Sequence, residues 1–215
     1  MRWLDGIRMN LVQELFFPTP IYYLDLEGAE SLNQYLLPRI YAWRDRDQSG
    51  IARSNVRTMG AWHSHTNMNK LPEFELFVRK IEQTMVELFT AQNYHPNSKP
   101  ASHNMWANIN PPGGYNRSHT HPGSLWSGVY YVQAPEHCGR VVFHDPRVQA
   151  EVQPIKIAED KLADQRHWRE VNHKAMAGRL VLFPSWLRHE VEPNLAKVDE
   201  PYSDRISISF NYGQM

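Results

Sequence analysis

The sequence has very little cysteine, no excess of either charge and no long apolar stretch. Cys138 is the only cysteine among 215 residues, which excludes an intrachain disulfide and favours a reducing compartment. Lysine plus arginine and aspartate plus glutamate both number 23, so bulk charge gives no reason to expect a nucleic-acid or membrane partner. No run of about 18 apolar residues is present, and residues 1–6 lack the apolar core of a signal peptide. Together these absences predict a cytoplasmic protein.

The first half of the chain carries two amphipathic helical patterns. The first lies at about residues 30–47, where apolar residues recur every three or four positions. These positions are Leu32, Leu36, Ile40 and Trp43. The second lies at about residues 72–93, shows the same period and begins with a proline, which suits a helix start. We expect helical support over about residues 28–93, packed against a sheet that covers its apolar faces.

The second half of the chain predicts short strands separated by turn residues. Eight candidates lie at about residues 103–110, 125–132, 139–144, 151–157, 168–173, 179–183, 188–192 and 205–212. Eight short strands favour a mainly β fold, a jelly roll or related double-sheet barrel over about residues 102–215, with the two helices on one sheet. A chain of this length suits one domain over residues 1–215, because β-rich single domains reach about 200–250 residues.

Residues 11–26 are expected at an edge of the sheet. Aromatic and β-branched residues there favour a strand, but Pro18 and Pro20 lack the amide hydrogen that an inner strand needs. An exposed edge over about residues 15–24 could pair with a second subunit, which predicts a homodimer.

The last predicted strand alternates between an apolar and a polar face. Ile206, Ile208 and Phe210 point one way, and Arg205, Ser207, Ser209 and Asn211 point the other. The apolar face can meet the helices. The polar face then lines a cavity, as a bound polar ligand would require.

Two His-x-His pairs compete as metal sites. His119 and His121 point to the same side of an extended segment, so both can reach one ion. His63 and His65 form the other pair. With 11 histidines in the chain, about 0.5 occurrences of His-x-His are expected by chance. Either pair alone is therefore more often a surface feature than a metal site. The first pair is favoured, because it precedes a strand and His189 follows on a later strand.

Ordered motifs resemble those of the Fe(II)/2-oxoglutarate-dependent oxygenases. They are His119 to Pro122, Ser127 to Tyr131, Asp145 to Arg147, Leu182 to His189 and Arg205 to Asn211. The opening residues 15–20 are also similar to one branch of these enzymes. The resemblance implies a double-stranded β-helix, the cupin-like form of the jelly roll, that binds Fe(II) and 2-oxoglutarate.

The resemblance implies that His119, His121 and His189 hold the metal and carry the catalysis. His119 and His189 match the two histidines of these oxygenases, and His121 falls where an aspartate or glutamate is usual. A neutral imidazole there raises the charge of the site by one, and imidazole suits iron, zinc, copper and nickel, so the metal identity stays open. Asp145 is the nearest carboxylate that could complete the site instead, although a structural Asp-Pro turn is its expected role.

Arg205 falls where these oxygenases bind the distal carboxylate of 2-oxoglutarate. A guanidinium can grip a carboxylate with two hydrogen bonds, and Ser207 on the same face could add a hydroxyl donor. The alternative is a structural ion pair between Arg205 and Glu190 or Glu192. Four nearby aromatic residues are expected in the core rather than at the substrate, namely Trp126, Tyr130, Tyr131 and Trp186.

Three functional hypotheses remain. The first is an enzyme that couples oxidative decarboxylation of 2-oxoglutarate by dioxygen to hydroxylation of an unknown substrate. The second is a cupin-like dioxygenase or isomerase that uses three histidines and a metal without 2-oxoglutarate. The third is a non-catalytic jelly roll that binds a carbohydrate or another small molecule.

Overall fold

The computed structural model describes residues 12, 14, 16–54, 59–152, 156–161, 164–198 and 202–215. The strands are β1 (Tyr22–Asp25), β2 (Trp62–His63), β3 (Pro100–Asn110), β4 (Asn116–His119), β5 (Trp126–Gln133), β6 (Arg140–His144), β7 (Glu170–Lys174), β8 (Arg179–Pro184), β9 (His189–Val191) and β10 (Arg205–Gln214). The helices are α1 (Ala29–Arg46), α2 (Gly50–Arg53), α3 (Glu75–Ala91) and α4 (Val148–Glu151). Short 3-10 turns lie at Met68–Lys70, Pro72–Phe74, Glu159–Lys161 and Gln165–His167.

The strands form two antiparallel sheets. Six follow the order β1-β8-β5-β10-β3-β2, and four follow the order β4-β9-β6-β7. Most neighbours in a sheet are distant in sequence, as where β10 lies between β3 and β5. This crossing-over is the double-stranded β-helix arrangement of a jelly roll. The predicted fold class, mainly β with helices packed on one sheet, is confirmed.

The two long helices cover the outer face of the six-stranded sheet. All four residues predicted for the apolar face of α1 are buried, and α3 buries a matching row. Both rows share one hydrophobic cluster with Ile206, Ile208 and Phe210 of β10. The ring of Phe77 on α3 lies 5.2 Å from that of Tyr130 on β5. The alternation in the last strand therefore predicts correctly which of its faces meets the helices.

A second, smaller hydrophobic cluster fills the space between the sheets. It contains Val129 and Tyr131 of β5, Phe143 of β6 and Phe183 of β8. The rings of Phe143 and Phe183 lie 4.8 Å apart. The polar face of β10 enters the same space further along, beside a cavity. The interior is thus apolar at one side and polar where β10 turns inward.

One predicted strand is wrong in its described part. Glu151 ends the helix α4, residues 156–157 belong to no strand, and residues 153–155 lie outside the described part of the chain. For Glu151 the cause is turn chemistry before α4, because the backbone amide of Arg147 donates to Oδ1 of Asp145 at 2.9 Å. Such an Asx turn starts a helical turn rather than an extended segment.

Strand β1 lies at the edge of the six-stranded sheet, as the prolines before it predict, and among the described strands it pairs with β8 alone. Residues 11, 13 and 15 of that predicted segment lie outside the described residues. In the described part of the chain, no helix has the length and apolar character that a membrane span requires.

Candidate metal centre

His119 and His189 meet where the strands β4 and β9 pair. His119 is the last residue of β4, His189 is the first residue of β9, and the two are partners in the antiparallel register. Their ring centroids lie 4.4 Å apart. The backbone ladder therefore fixes the position of both imidazoles.

His121 joins them from the loop after β4. Its backbone amide donates to the carbonyl of Ser185 at 2.9 Å, which holds the loop against the end of β8. Its Nε2 lies 3.3 Å from Nε2 of His189. The candidate ligand atoms of His119, His121 and His189, here called the histidine triad, all lie within 4.8 Å of one another. One ion can be reached by all three.

Backbone carbonyls orient two members of the histidine triad. Nδ1 of His119 lies 2.6 Å from the carbonyl oxygen of Arg117, and Nδ1 of His189 lies 2.9 Å from that of Leu187. Since a carbonyl can only accept, each Nδ1 carries the proton and donates it. The lone pair of each Nε2 is then free, as metal ligation needs.

Burial keeps two of these imidazoles neutral. It lowers the pKa of His121 to about 4, with the neighbouring His119 adding to the effect. It lowers the pKa of His189 to about 3, again with His119 as the second cause. Neutral imidazoles are the form that ligates metals, so burial keeps His121 and His189 ready to bind a divalent ion.

Arg205 lines the same cavity as the histidine triad and is almost fully buried, with 1% of its surface exposed. Its Nη1 donates to the carbonyls of Cys138 and Glu192, and its Nη2 donates to that of Gly114 at 3.3 Å. Gly139 permits this closure, because a Cβ there would lie 2.9 Å from Nη1 and its φ is +86°. Burial lowers the pKa of the guanidinium.

No carboxylate pairs with Arg205 among the described residues. Glu192 bonds Arg205 through its backbone carbonyl, and its carboxylate pairs with Arg140 and acts on the guanidinium from a longer distance. Glu190 lies near His144. The structural ion pair considered from the sequence is therefore absent in this part of the chain. A buried cation without a carboxylate partner is costly, so this position suits an anionic ligand.

Tyr131 and Ser207 lie beside Arg205 and line the cavity. They are partners in the register between β5 and β10. The Tyr131 hydroxyl is buried without a hydrogen-bond partner in the described residues, and burial raises its pKa to about 12, so it stays a proton donor. Tyr131 lies in the core, as the sequence predicts, and also lines the cavity. It shares a strand face with the apolar Val129, so the sequence pattern gives no signal of the unpaired hydroxyl.

The other candidate ligands lie elsewhere. Asp145 accepts hydrogen bonds from Arg147 and lies outside the histidine triad, in keeping with the expected Asp-Pro turn. The His63 ring stacks on Trp106 at 5.6 Å, and His65 lies 3.9 Å from a carboxylate oxygen of Asp47. Among the described residues, neither histidine joins a group that could hold a metal.

A family of known proteins matches the second half of the chain. Its sequence model, described as "Putative 2OG-Fe(II) oxygenase", matches residues 104–211. The chain belongs to this family. It is therefore an oxygenase with Fe(II) as its metal and 2-oxoglutarate as its cosubstrate, and dioxygen and an organic substrate are its reaction partners. The resemblance inferred from the motifs is confirmed.

Solved structures of oxygenases share the fold. A Pseudomonas putida prolyl-4-hydroxylase has a TM-score of 0.58 and 17% identity, over 90% of this chain and 92% of that one. A Trichoplax adhaerens prolyl hydroxylase in complex with a hypoxia-inducible factor peptide has a TM-score of 0.55 and 18% identity, over 90% and 83%. HygX from Streptomyces hygroscopicus, solved with nickel, 2-oxoglutarate and hygromycin B, has a TM-score of 0.52 and 12% identity, over 91% and 83%. No curated protein matches the chain in sequence.

Proposed function

We propose that this oxygenase couples the oxidative decarboxylation of 2-oxoglutarate to the oxidation of a C–H bond, most simply a hydroxylation. The observation that carries the proposal is Arg205, a buried cation that forms no ion pair with a described carboxylate and that lines one cavity with the histidine triad. A dicarboxylate fits this pairing, because one end can chelate a metal while the other neutralises the guanidinium.

The far end of the cosubstrate is assigned to Arg205, Tyr131 and Ser207. Three carbonyls already accept from Nη1 and Nη2 of Arg205, so Nε–H and one Nη2–H remain for a carboxylate. The Tyr131 hydroxyl supplies a further donor whose hydrogen bond is otherwise unmade. Ser207 supplies a third from the neighbouring strand.

The metal is assigned to His119, His121 and His189, whose donor set fits Fe(II). Bound Fe(II) supplies the redox chemistry by which dioxygen converts 2-oxoglutarate to succinate and carbon dioxide and oxidises the substrate. Three neutral imidazoles leave the charge of the ion uncompensated, whereas the usual carboxylate would offset part of it. The triad therefore favours a doubly negative cosubstrate more strongly.

Cosubstrate entry requires side chains to move. The cavity between the histidine triad and Arg205 has a volume of about 50 Å³, which holds a few water molecules. Because 2-oxoglutarate is larger, its binding must open the cavity. We expect the lining side chains to change rotamer rather than the strands to separate, because every lining strand except the edge strand β4 pairs with a neighbour on both sides.

The proposal is tested by anaerobic titration of the Fe(II)-loaded protein with 2-oxoglutarate, following the visible charge-transfer band that chelation produces. Arg205→Lys keeps the positive charge but loses the planar guanidinium that can form two hydrogen bonds with a carboxylate. It should weaken 2-oxoglutarate binding about 10-fold to 100-fold. Arg179→Lys is the matched control, because Arg179 makes a two-pronged pair with Asp25 outside the site, at 2.8 Å for both bonds. It should leave the titration unchanged.

Failure of the wild-type protein to form the band with iron bound would sink the proposal. It would favour a three-histidine dioxygenase that does not use 2-oxoglutarate, the second hypothesis from the sequence. Succinate formation under air, measured against oxidised product for a panel of substrates, then tests the coupling itself. Equal amounts of succinate and oxidised substrate are the expected result.

The oligomeric state and the cellular location of the protein are predictions. Strand β1 has a free edge in the described residues, and Tyr23 on it is 57% exposed, so a homodimer formed through this edge is expected. Light scattering of the purified protein tests it. The cytoplasmic location predicted from cysteine usage is tested by cell fractionation.

A further inference from the structure

The third member of the histidine triad is oriented differently from the other two. His119 and His189 donate from Nδ1 to backbone carbonyls, which can only accept. Nδ1 of His121 instead lies 3.3 Å from the side-chain amide nitrogen of Asn211. A carboxamide offers a donor on one side and an acceptor on the other, so its orientation decides where the His121 proton lies.

A buried hydrogen-bond chain holds Asn211 in its orientation. Ser127 Oγ donates to Oδ1 of Asn211 at 2.6 Å, and Nδ2 of Asn211 donates to Oδ1 of Asn104 at 2.8 Å. Ser127 Oγ also lies 2.8 Å from Oγ of Ser185. Asn211 is only 5% exposed and Ser127 1%, so water does not replace these bonds freely.

In this orientation His121 cannot ligate a metal through Nε2. Nδ2 of Asn211 donates to Nδ1 of His121, so the His121 proton lies on Nε2. That Nε2–H is 3.3 Å from Nε2 of His189, whose lone pair is free because its Nδ1 donates to Leu187. His121 therefore donates to His189, and this bond occupies both nitrogens that a metal would need.

We propose that Asn211 is a positioning residue whose carboxamide turns over when the metal binds, and that this turn sets the tautomer of His121. The inference rests on the proposed metal site. After the turn, Oδ1 of Asn211 accepts from Nδ1–H of His121, and Nε2 of His121 is free. No net proton is gained or lost, because the proton leaves Nε2 of His121 and one is added at Nδ1.

After the turn, each side chain of this network again has a hydrogen-bond partner. Nδ2 of Asn211 then donates to Oγ of Ser127, whose own proton passes to Oγ of Ser185. The Asn104 carboxamide turns as well, so that its Nδ2 donates to Oδ1 of Asn211. The two orientations carry the same number of hydrogen bonds among these side chains. Turning the carboxamide costs free energy, and metal binding must supply it. The apparent metal affinity is therefore the intrinsic affinity multiplied by the fraction of molecules that have the turned orientation.

Two aspartate variants distinguish an effect of the Asn211 orientation from an effect of added negative charge. Asn211→Asp can only accept, so it fixes the proton of His121 on Nδ1 and should tighten Zn²⁺ binding about 10-fold or more at mildly alkaline pH. Asn104→Asp adds the same charge one residue further along the chain of bonds. It accepts from Nδ2 of Asn211, fixes the unturned orientation and should weaken Zn²⁺ binding about 10-fold.

Zn²⁺ affinity is measured by calorimetric competition, with folding of both variants checked by circular dichroism. Tightening in both variants would overturn the proposal in favour of added negative charge alone. No change in either variant would overturn it as well. Opposite changes would support it, because one charge cannot by itself produce two signs.

Nitrogen-15 imidazole spectra provide a readout that a purely structural role would not move. Without metal, His121 should be protonated on Nε2, and with Zn²⁺ it should be protonated on Nδ1, while His189 stays protonated on Nδ1 throughout. Protonation of His121 on Nδ1 before metal is added would overturn the proposal. Neither experiment uses 2-oxoglutarate. The two claims can therefore fail separately. If His121 changes tautomer with Zn²⁺ but the protein does not bind 2-oxoglutarate, the proposed function is overturned and this inference stands.

Discussion

His119 and His189 face each other across the ladder between β4 and β9, with ring centroids 4.4 Å apart. The two residues come from distant parts of the sequence, and the antiparallel register alone makes them neighbours. Because each ring also donates to a carbonyl within two residues of its own position, its orientation is set locally. The site is therefore largely formed by the backbone before any ligand arrives.

His121→Ala should weaken Fe(II) binding more than about 100-fold, because it removes one of only three ligands, a larger loss than is usual for a supporting residue. Asp145→Asn should leave the affinity unchanged, since Asp145 accepts from Arg147 away from the histidine triad. Anaerobic Fe(II) titration measures both. Loss of iron in Asp145→Asn with retention in His121→Ala would show that a carboxylate completes the site.

Tyr131→Phe should weaken 2-oxoglutarate binding about 10-fold, because it removes a donor to a charged group. Without 2-oxoglutarate, the free energy of unfolding should stay the same or rise by up to about 1 kcal/mol, since the lost hydroxyl is buried and unpaired. Tyr130→Phe is the control, because the Tyr130 hydroxyl donates to Asn33 at 2.7 Å. It should lose about 1 kcal/mol of stability and bind 2-oxoglutarate normally.

Asp145→Asn should lower stability at neutral pH by about 1–2 kcal/mol, and the difference should disappear in acid. The hydrogen bond from Arg147 holds the pKa of Asp145 below its ordinary value of 3.8. The folded protein therefore binds this proton less tightly than the unfolded chain. The stabilisation is fully present above pH 3.8 and is lost as the pH falls through the lower folded-state pKa.

Urea unfolding at several pH values measures this difference. Asp160→Asn is the matched control, because Asp160 pairs with Lys161 at 2.7 Å while both side chains stay more than half exposed. It should change stability by less than about 0.5 kcal/mol at any pH. A difference between wild type and Asp145→Asn that persists in acid would contradict the assignment to the ionised carboxylate.

The helices and the jelly roll should unfold as one domain, as the chain length predicts. Ile40 of α1 is fully buried in the cluster that includes β10, so Ile40→Ala should cost about 2–5 kcal/mol. Leu76→Ala on α3 should cost little, because that side chain is 57% exposed. Far-ultraviolet and tryptophan signals should shift together in Ile40→Ala. Two separate transitions would indicate an independent helical unit.

Periodicity predicts the parts of this fold that one element decides alone. The four buried positions of α1 follow from their spacing, and the inward side of β10 follows from its alternation. The motif order places His189 and Arg205 with the pair at 119 and 121. Each of these conclusions uses residues whose separation along one element, or order along the chain, carries the signal.

Relations between elements are not encoded in this way. Tyr131 faces Ser207, and Asn211 reaches His121, only because β10 pairs with β5 in one register that shifts between Ile206 and Ser207. A tyrosine in an apolar run gives no sign that its hydroxyl is unpaired. The helix found at Glu151, where a strand is predicted to begin, has a local cause, since the side chain of Asp145 bonds the backbone just before it.

The three carbonyls around Arg205 come from three separate loops, after β3, between β5 and β6, and after β9. One side chain thus joins loops of both sheets, and these bonds need no ligand. Arg205 therefore contributes to the fold as well as to the proposed site. Its replacement is expected to affect stability in addition to 2-oxoglutarate binding.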